Sequence, residues 1–198
     1  VYYVLFVVPV QTALALALAI LVHHRALKGR GFFRTAFYFP SVTSAVAITV
    51  LWLFLFNSSG AVNVALGWVG IDGPNWFGDA RGIFHTALGA IGVDAPAALT
   101  DHRALGISWW EWLAGPSFAM SAFILLAVFT TSGTFMLLFI AALNNIGDEV
   151  DEAGMVDGAG AWQRFWHLTL PMLRPTVFTV LTLGLIGTWQ VFDQIYTG

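Results

Sequence analysis

The sequence predicts an all-α protein, a polytopic bundle of transmembrane helices, and three observations carry that prediction. Hydrophobic residues make up 58% of the chain and charged residues only 10%, with a mean hydropathy of +0.79, whereas a soluble domain carries about 25% charged residues. Four apolar runs are each about long enough to cross a ~30 Å hydrocarbon core at 1.5 Å per residue. The basic residues, finally, fall unevenly among the polar segments between those runs, as they do when alternate segments face opposite sides of a bilayer. The net charge of −3 is spread along the chain, which gives no reason to propose nucleic acid as a partner. With no cysteine, a disulfide framework, a thiolate nucleophile and a cysteine metal site are all excluded.

The first run, Val1 to Val22, has no basic leader and is too long for a signal peptide, so it is read as a span. It opens without methionine inside an apolar segment, and the chain is expected to continue upstream. Arg25, Lys28, Arg30 and Arg34 follow within ten residues, which places this hairpin on the cytoplasmic side. His23 and His24 are adjacent and would diverge on a helix, so they are read as interfacial residues rather than metal ligands. The second run, about Thr35 to Phe56, returns outward with Pro40, Ser41, Thr43 and Ser44 in its inner third. Neighbouring helices can satisfy the backbone that such a proline frees.

Residues 57–115 form the longest polar segment, predicted as an extracytoplasmic loop with one or two short helices, because none of its apolar patches reaches about 17 residues. Trp109, Trp110 and Trp112 suit the aromatic belt at a membrane surface better than a carbohydrate platform. The third run, about Pro116 to Leu143, crosses back inward. Its Thr130, Thr131, Ser132, Gly133 and Thr134 are the small and hydroxylated residues that allow close helix packing in a membrane.

The polar insert 144–174 then carries the most specific pattern in the chain. Asp148, Glu149, Asp151 and Glu152 crowd the front of a short helix, where its dipole favours acids. Asp157-Gly158 signals a turn, since glycine takes positive φ without a Cβ clash. A second helical stretch runs from about Trp162 to Leu170, with Pro171 marking its end. The prediction is helix, sharp turn, helix.

That spacing resembles the EAA signature of permease subunits of binding-protein-dependent ABC importers, E-A-A-x3-G-x9-I-x-L-P. Glu152, Ala153, Gly158, Leu170 and Pro171 fit position for position, while Gly154 replaces the second alanine and Leu168 the isoleucine. The triplet Asp157-Gly158-Ala159 and the ending Leu170-Pro171 with Pro175 look most like the carbohydrate branch. Gly29 to Arg34, Phe39-Pro40 and Asn63 resemble the same stretches of sugar permeases. Asn75 to Asp79, or Glu111 to Gly115, could match their Asn-Trp-Leu-like element, and the roughly thirty residues between look inserted, a candidate contact for a binding protein or a passive cap. Relatives often carry a proline before Phe135, where this chain has Thr134, so a kink there is not expected from this sequence.

The fourth run starts near Pro175, a residue suited to opening a helix, and ends in Trp189-Gln190-Val191-Phe192-Asp193-Gln194-Ile195-Tyr196. The last of these look like the FD-x-IY element of the first of two paired permeases in maltose, trehalose and glycerol-phosphate importers, after which another helix is expected. Six of the eight basic residues (Arg25, Lys28, Arg30, Arg34, Arg164, Arg174) then lie inside, and only Arg81 and Arg103 outside.

The resemblance implies a type I ABC importer transmembrane domain with four of about six core spans, in the inner or plasma membrane. It implies a second permease subunit, two ATP-binding subunits, an extracytoplasmic solute-binding protein and surrounding lipid as partners. Glu152, Ala153, Gly154, Asp157, Gly158 and Ala159 would couple to the ATPase. Trp189, Gln190 and Asp193 are candidates for the substrate path, because aromatic faces and hydrogen-bonding groups suit sugars. No cofactor is expected on this chain, and ATP-Mg would be held by the partner ATPases. Lys28, the only lysine, follows Leu27, so no phosphate-binding loop exists, and neither a zinc HExxH nor a G-x-S-x-G elbow occurs. His85, Asp101, His102 and Glu111 are read as solvated loop residues. The competing readings are a permease for another solute class, such as amino acids or phosphate esters, a membrane-embedded enzyme, and an independent channel.

Overall fold

The apolar runs fold as helices because a segment inside a bilayer has to satisfy its own backbone N–H and C=O groups. The computed structural model describes residues 2–23, 29–78, 82, 84, 103–104, 107–108 and 115–196. In chain order they form α1 (Tyr2–His23), α2 (Arg30–Val42), α3 (Ala45–Leu55) and α4 (Ala61–Trp68). A short antiparallel pair follows, β1 (Arg103–Ala104) and β2 (Ile107–Ser108), with Arg103 opposite Ser108. Then come α5 (Phe118–Asn145), α6 (Asp148–Val156), α7 (Ala161–Met172) and α8 (Arg174–Tyr196). Trp109, Trp110 and Trp112, like His85, Asp101, His102 and Glu111, lie outside the described residues.

Among the described residues, α1 and α5 are each long and apolar enough to cross a membrane, and there are up to four spans if each of two broken pairs counts as one. The second run is the first such pair. It was expected as one span and is instead interrupted at Thr43 and Ser44, whose backbones are extended (ψ 147° and 127°). The cause is local. Pro40 removes one helical N–H, and just beyond it the Ser41 hydroxyl donates to the Tyr38 carbonyl (2.7 Å) and that of Thr43 to Phe39 (3.0 Å). The other pair is α7 with α8, bent by 63°. α5, by contrast, runs unbroken through Thr134-Phe135.

The chain divides into two compact units. The first, centred on Ser44–Leu126, is organised around Asn63 on α4. Its amide donates to the carbonyls of Ser58 (3.0 Å) and Pro74 (3.1 Å) and accepts from the indole N–H of Trp76 (2.7 Å), so that three polar groups are satisfied by one side chain. The Trp76 ring meets Phe56 edge-on at 4.9 Å and Phe118 at 6.0 Å. Trp52 stacks on Phe56 at 4.8 Å and donates its indole N–H to the Ala122 carbonyl (2.8 Å).

The second unit, Val4–Thr43 with Ala127–Gly198, holds the core that positions the polar insert. Ala15, Ala19 and Val22 of α1, Phe135, Met136, Phe139, Ile140 and Leu143 of α5, and Leu173 and Val180 form one buried cluster. These residues come from the C-terminal parts of α1 and α5 and the N-terminal part of α8. The C-terminal end of α1 and the insert between α5 and α8 therefore lie at the same end of that core. Small residues set the approach of the helices. A Cβ on Gly133 would run into the Phe37 carbonyl oxygen of α2, and one on Gly184 into the amide nitrogen of Gln11 on α1. Gln11 is 2% exposed, and its Nε2 has no hydrogen-bond partner among the described residues.

Candidate functional site

The insert folds as a helix–turn–helix held shut by backbone bonds and one arginine. α6 begins at Asp148 after Gly147, and its first turn is acidic, which suits the partial positive charge of the free N–H groups there. It ends at Val156 with Asp157 as its C-cap, followed by Gly158, whose φ of +77° lies in the left-handed region. The Gly158 N–H donates to the Met155 carbonyl (3.0 Å) and the Ala159 N–H to that of Gly154 (2.9 Å). These are the two bonds of a Schellman motif, so Gly158 is there to reverse the chain at the helix end. Nothing lies within 4 Å of a Cβ built on Gly158, and the demand for glycine is one of backbone conformation alone.

α7 then starts at Gly160, whose N–H is accepted by the side-chain oxygen of Gln163 (3.0 Å), the return half of a capping box. Arg164 closes the structure. Its Nε donates to Asp151 Oδ1 on α6 (2.8 Å) and its Nη1 to the Ala159 carbonyl in the turn (3.0 Å). One planar guanidinium thus joins α6, the turn and α7, which a lysine with its single ammonium could not do in the same geometry. Sequence reasoning used Arg164 only as an inside charge and gave Asp151 only a place at a helix N-terminus. Their separation of 13 residues carries no local periodicity that would have paired them.

Gly154 is buried where α6 rests on α7. A Cβ there would lie 2.9 Å from both Leu168 Cδ1 and Arg164 Cδ. Gly154 and Leu168 are the two departures from the EAA pattern, and they are neighbours: losing a methyl at one makes room for the longer reach of leucine at the other.

α7 continues through Pro171 to Met172, two residues past its predicted end, by widening into a π turn at Phe165–Thr169. The Leu170 N–H bonds the Phe165 carbonyl five residues back. A proline ring crowds the carbonyl four residues before it, and the wider turn just upstream relieves that crowding. Buried Leu173 then marks the bend into α8, its N–H bonded to Thr169 (3.1 Å) and its carbonyl accepting from Val177 (2.8 Å).

The predicted coupling residues divide by exposure. Glu152, Ala153, Asp157 and Gly158 are exposed, Ala159 half-buried and Gly154 buried. Beside them stand Met155 (52% exposed) and Val156 (88%), apolar side chains that the pattern did not single out. The substrate-path candidates lie elsewhere. Trp189 and Gln190 line an open groove of about 570 Å³ with Leu185 and Ile186 on one side of α8. Asp193 falls in the last turns of the same helix, and its side chain is outside the described residues.

A helical membrane protein whose spans frame a clasped helix–turn–helix at one end of a core is the class that these features define. Residues 11–197 match the model of the binding-protein-dependent transport system inner membrane component, and the chain belongs to that family of ABC transporter permeases. It is 31% identical over 189 residues to the lactose transport system permease protein LacF of Rhizobium radiobacter, covering 96% of this chain and 52% of that protein. It is 32% identical over 195 residues to the probable ABC transporter permease protein YesP of Bacillus subtilis, covering 98% and 51%. The chain therefore spans about half the length of the curated relatives it matches. Among solved structures, a bacterial ABC transporter involved in the import of the acidic polysaccharide alginate shares the fold, with a TM-score of 0.57 and 23% identity over 91% of this chain and 55% of that one.

Proposed function

We propose that this chain is part of a permease subunit of an ATP-driven sugar importer, and that the helix–turn–helix is the handle by which a separate ATPase moves the membrane helices. The observation that carries the reading is the clasped turn itself: Gly158, Arg164 and Gly154 stiffen α6 and α7 into one piece while Glu152, Ala153, Met155, Val156 and Asp157 stay outward. A rigid element joined to α8 through buried Leu173 transmits a push, which a flexible loop would not. In this reading the handle faces the cytoplasm beside the arginine-rich hairpin, residues 57–115 lie outside, and ATP-driven closure of the ATPases moves the handle and thereby reorients the bundle in an alternating-access cycle. A second permease completes the path, and a solute-binding protein delivers the sugar. ATP-Mg stays on the two ATPase subunits, and this chain contributes no chemistry of its own. The name of the lactose permease relative supports a sugar as cargo. The groove at Trp189 and Gln190, with Asp193 further along α8, is where this chain would touch it.

The test is co-purification of the full subunit with its ATPase from membranes. The ATPase should accompany the native subunit and be lost with Val156→Asp, which places a charge on the outward apolar residue without disturbing any bond of the clasp. An unaccompanied native subunit, or a variant that keeps its ATPase, would refute the docking.

A further inference from the structure

The clasp uses only one side of α7. Arg164 and Leu168 face α6, and Trp162 and Trp166, each two residues earlier, sit about 200° around the helix. Trp162 is 73% exposed and Trp166 47%. Together with Phe165 they form an aromatic group, with ring centroids 5.6 Å apart for the two tryptophans and 5.7 Å for Phe165 with Trp166. Large aromatic surface on a helix face that none of the described residues of this unit covers needs an occupant, and three observations specify which.

The first is continuity with a span. α7 runs into α8 with a bend of 63°. At about 1.5 Å per residue, Trp166 and Trp162 lie about 11 and 17 Å from Leu173 along α7, which projects to about 5 and 8 Å along the α8 axis. The headgroup layer on each side of a bilayer is about 5–8 Å deep, so both rings fall within it if α8 crosses near the normal. The second is orientation. α6, with its exposed acids, occupies the side of α7 opposite the tryptophans, so that the aromatic side is turned towards the bilayer when α6 is turned towards the cytosol. The third is chemistry. Indole rings prefer the membrane interface, where an apolar body and a polar N–H are both accommodated, and Arg174, exposed at the first residue of α8, carries a side chain long enough to bring a guanidinium from the level of Leu173 to headgroup phosphate.

We infer that the Trp162–Phe165–Trp166 face of α7 is seated in the lipid headgroup layer, so that the handle pivots on the membrane surface instead of hanging free of it. Only the assignment of the cytosolic side rests on the docking reading. The lever this makes has the ATPase-facing helix on one side of α7 and lipid on the other, with the bend at Leu173 as its joint to the span.

The test uses the assembled transporter in phosphatidylcholine nanodiscs. The sequence of residues 1–198 has no cysteine, so with any cysteine elsewhere in the assembly replaced by serine, Trp162→Cys and Trp166→Cys each give a single site for a bimane label, with exposed Glu149→Cys on α6 as the comparison and ATP-driven uptake as the check on assembly. Lipid brominated at carbons 6 and 7 should quench both tryptophan-position labels several-fold more than the Glu149 label, and more than lipid brominated at carbons 11 and 12 does. Labels at 162 and 166 that are indifferent to brominated lipid, and become shielded from aqueous iodide only when the ATPase is present, would make this face part of the ATPase interface and overturn the inference. Loss of ATPase binding with lipid quenching intact would instead sink the docking reading and leave this one standing.

Discussion

Gly158 gives the sharpest prediction because its environment isolates one variable. A side chain there meets no atom within 4 Å, so substitution changes only the cost of holding φ at +77°. For a Cβ-bearing residue that cost is about 1–2 kcal/mol, or a roughly 5- to 30-fold loss in the population of the closed turn, since 1.4 kcal/mol is tenfold. Asparagine tolerates the left-handed region better than alanine, and a β-branched residue tolerates it worst. Valine should abandon the conformation and forfeit the bonds from Gly158 to Met155 and from Ala159 to Gly154, adding about 1 kcal/mol for each. Sugar uptake in proteoliposomes should therefore fall in the order Gly, Asn, Ala, Val, and coupled ATP hydrolysis should become uncoupled from transport by Val, with the amount inserted in the membrane unchanged. Normal uptake by Gly158→Val, or an order in which alanine outperforms asparagine, would show that the turn does not carry the coupling.

Four further outcomes follow from particular contacts. Arg164→Lys keeps the charge but cannot reach Asp151 and Ala159 together, so it should lower coupled transport while Asp151→Asn, which leaves the turn carbonyl bonded, should do less; equal effects would argue against the three-way clasp. Gly133→Ala drives a methyl against the α2 backbone and should cost about 1–3 kcal/mol as overpacking, whereas Gly187→Ala, with nothing within 4 Å, should gain up to about 1 kcal/mol of helix propensity; matching thermal midpoints for the two would contradict the packing. Asn63→Leu strands the Trp76 indole and two carbonyls and should destabilise the first unit by about 1–3 kcal/mol, read by loss of Trp76-sensitive near-UV signal. Gln11→Met replaces a buried amide whose Nε2 has no partner among the described residues with an apolar chain of similar reach and should raise the thermal midpoint in detergent; a drop would mean that the amide finds a partner in the assembled transporter.

How legible the site was depends on the range of the interaction. The turn at Asp157-Gly158 was readable because αL geometry is demanded at a single position by bonds that reach back only three and five residues. The extent of α7 was misjudged by two residues for a related reason: Pro171 does end an ordinary helix, and the π turn that carries it past depends on how the preceding residues are held. The break at Thr43 was half-visible, since Pro40 and three hydroxyl residues stood in the sequence, but whether freed backbone groups are satisfied by a neighbouring helix or by a change of direction is decided only by what packs there. Met155 and Val156 escaped notice because two apolar residues at the end of a short helix read as core until the fold leaves them outside.

By itself the amino-acid pattern determined that the chain is helical and apolar enough to span a membrane and where its helix–turn–helix lies, and it led to the expectation that this element and the basic hairpin share a side. Each of these follows from hydrophobic run length, charge asymmetry or a turn that is closed within a few residues. The fold alone decided that Arg164 reaches back to Asp151, that Gly154 makes room for Leu168, that Asn63 gathers three backbone and indole groups, and that two tryptophans are left on the far side of α7. Those are contacts between positions that only packing brings together, and a linear pattern specifies the residues available for such contacts without specifying which of them meet.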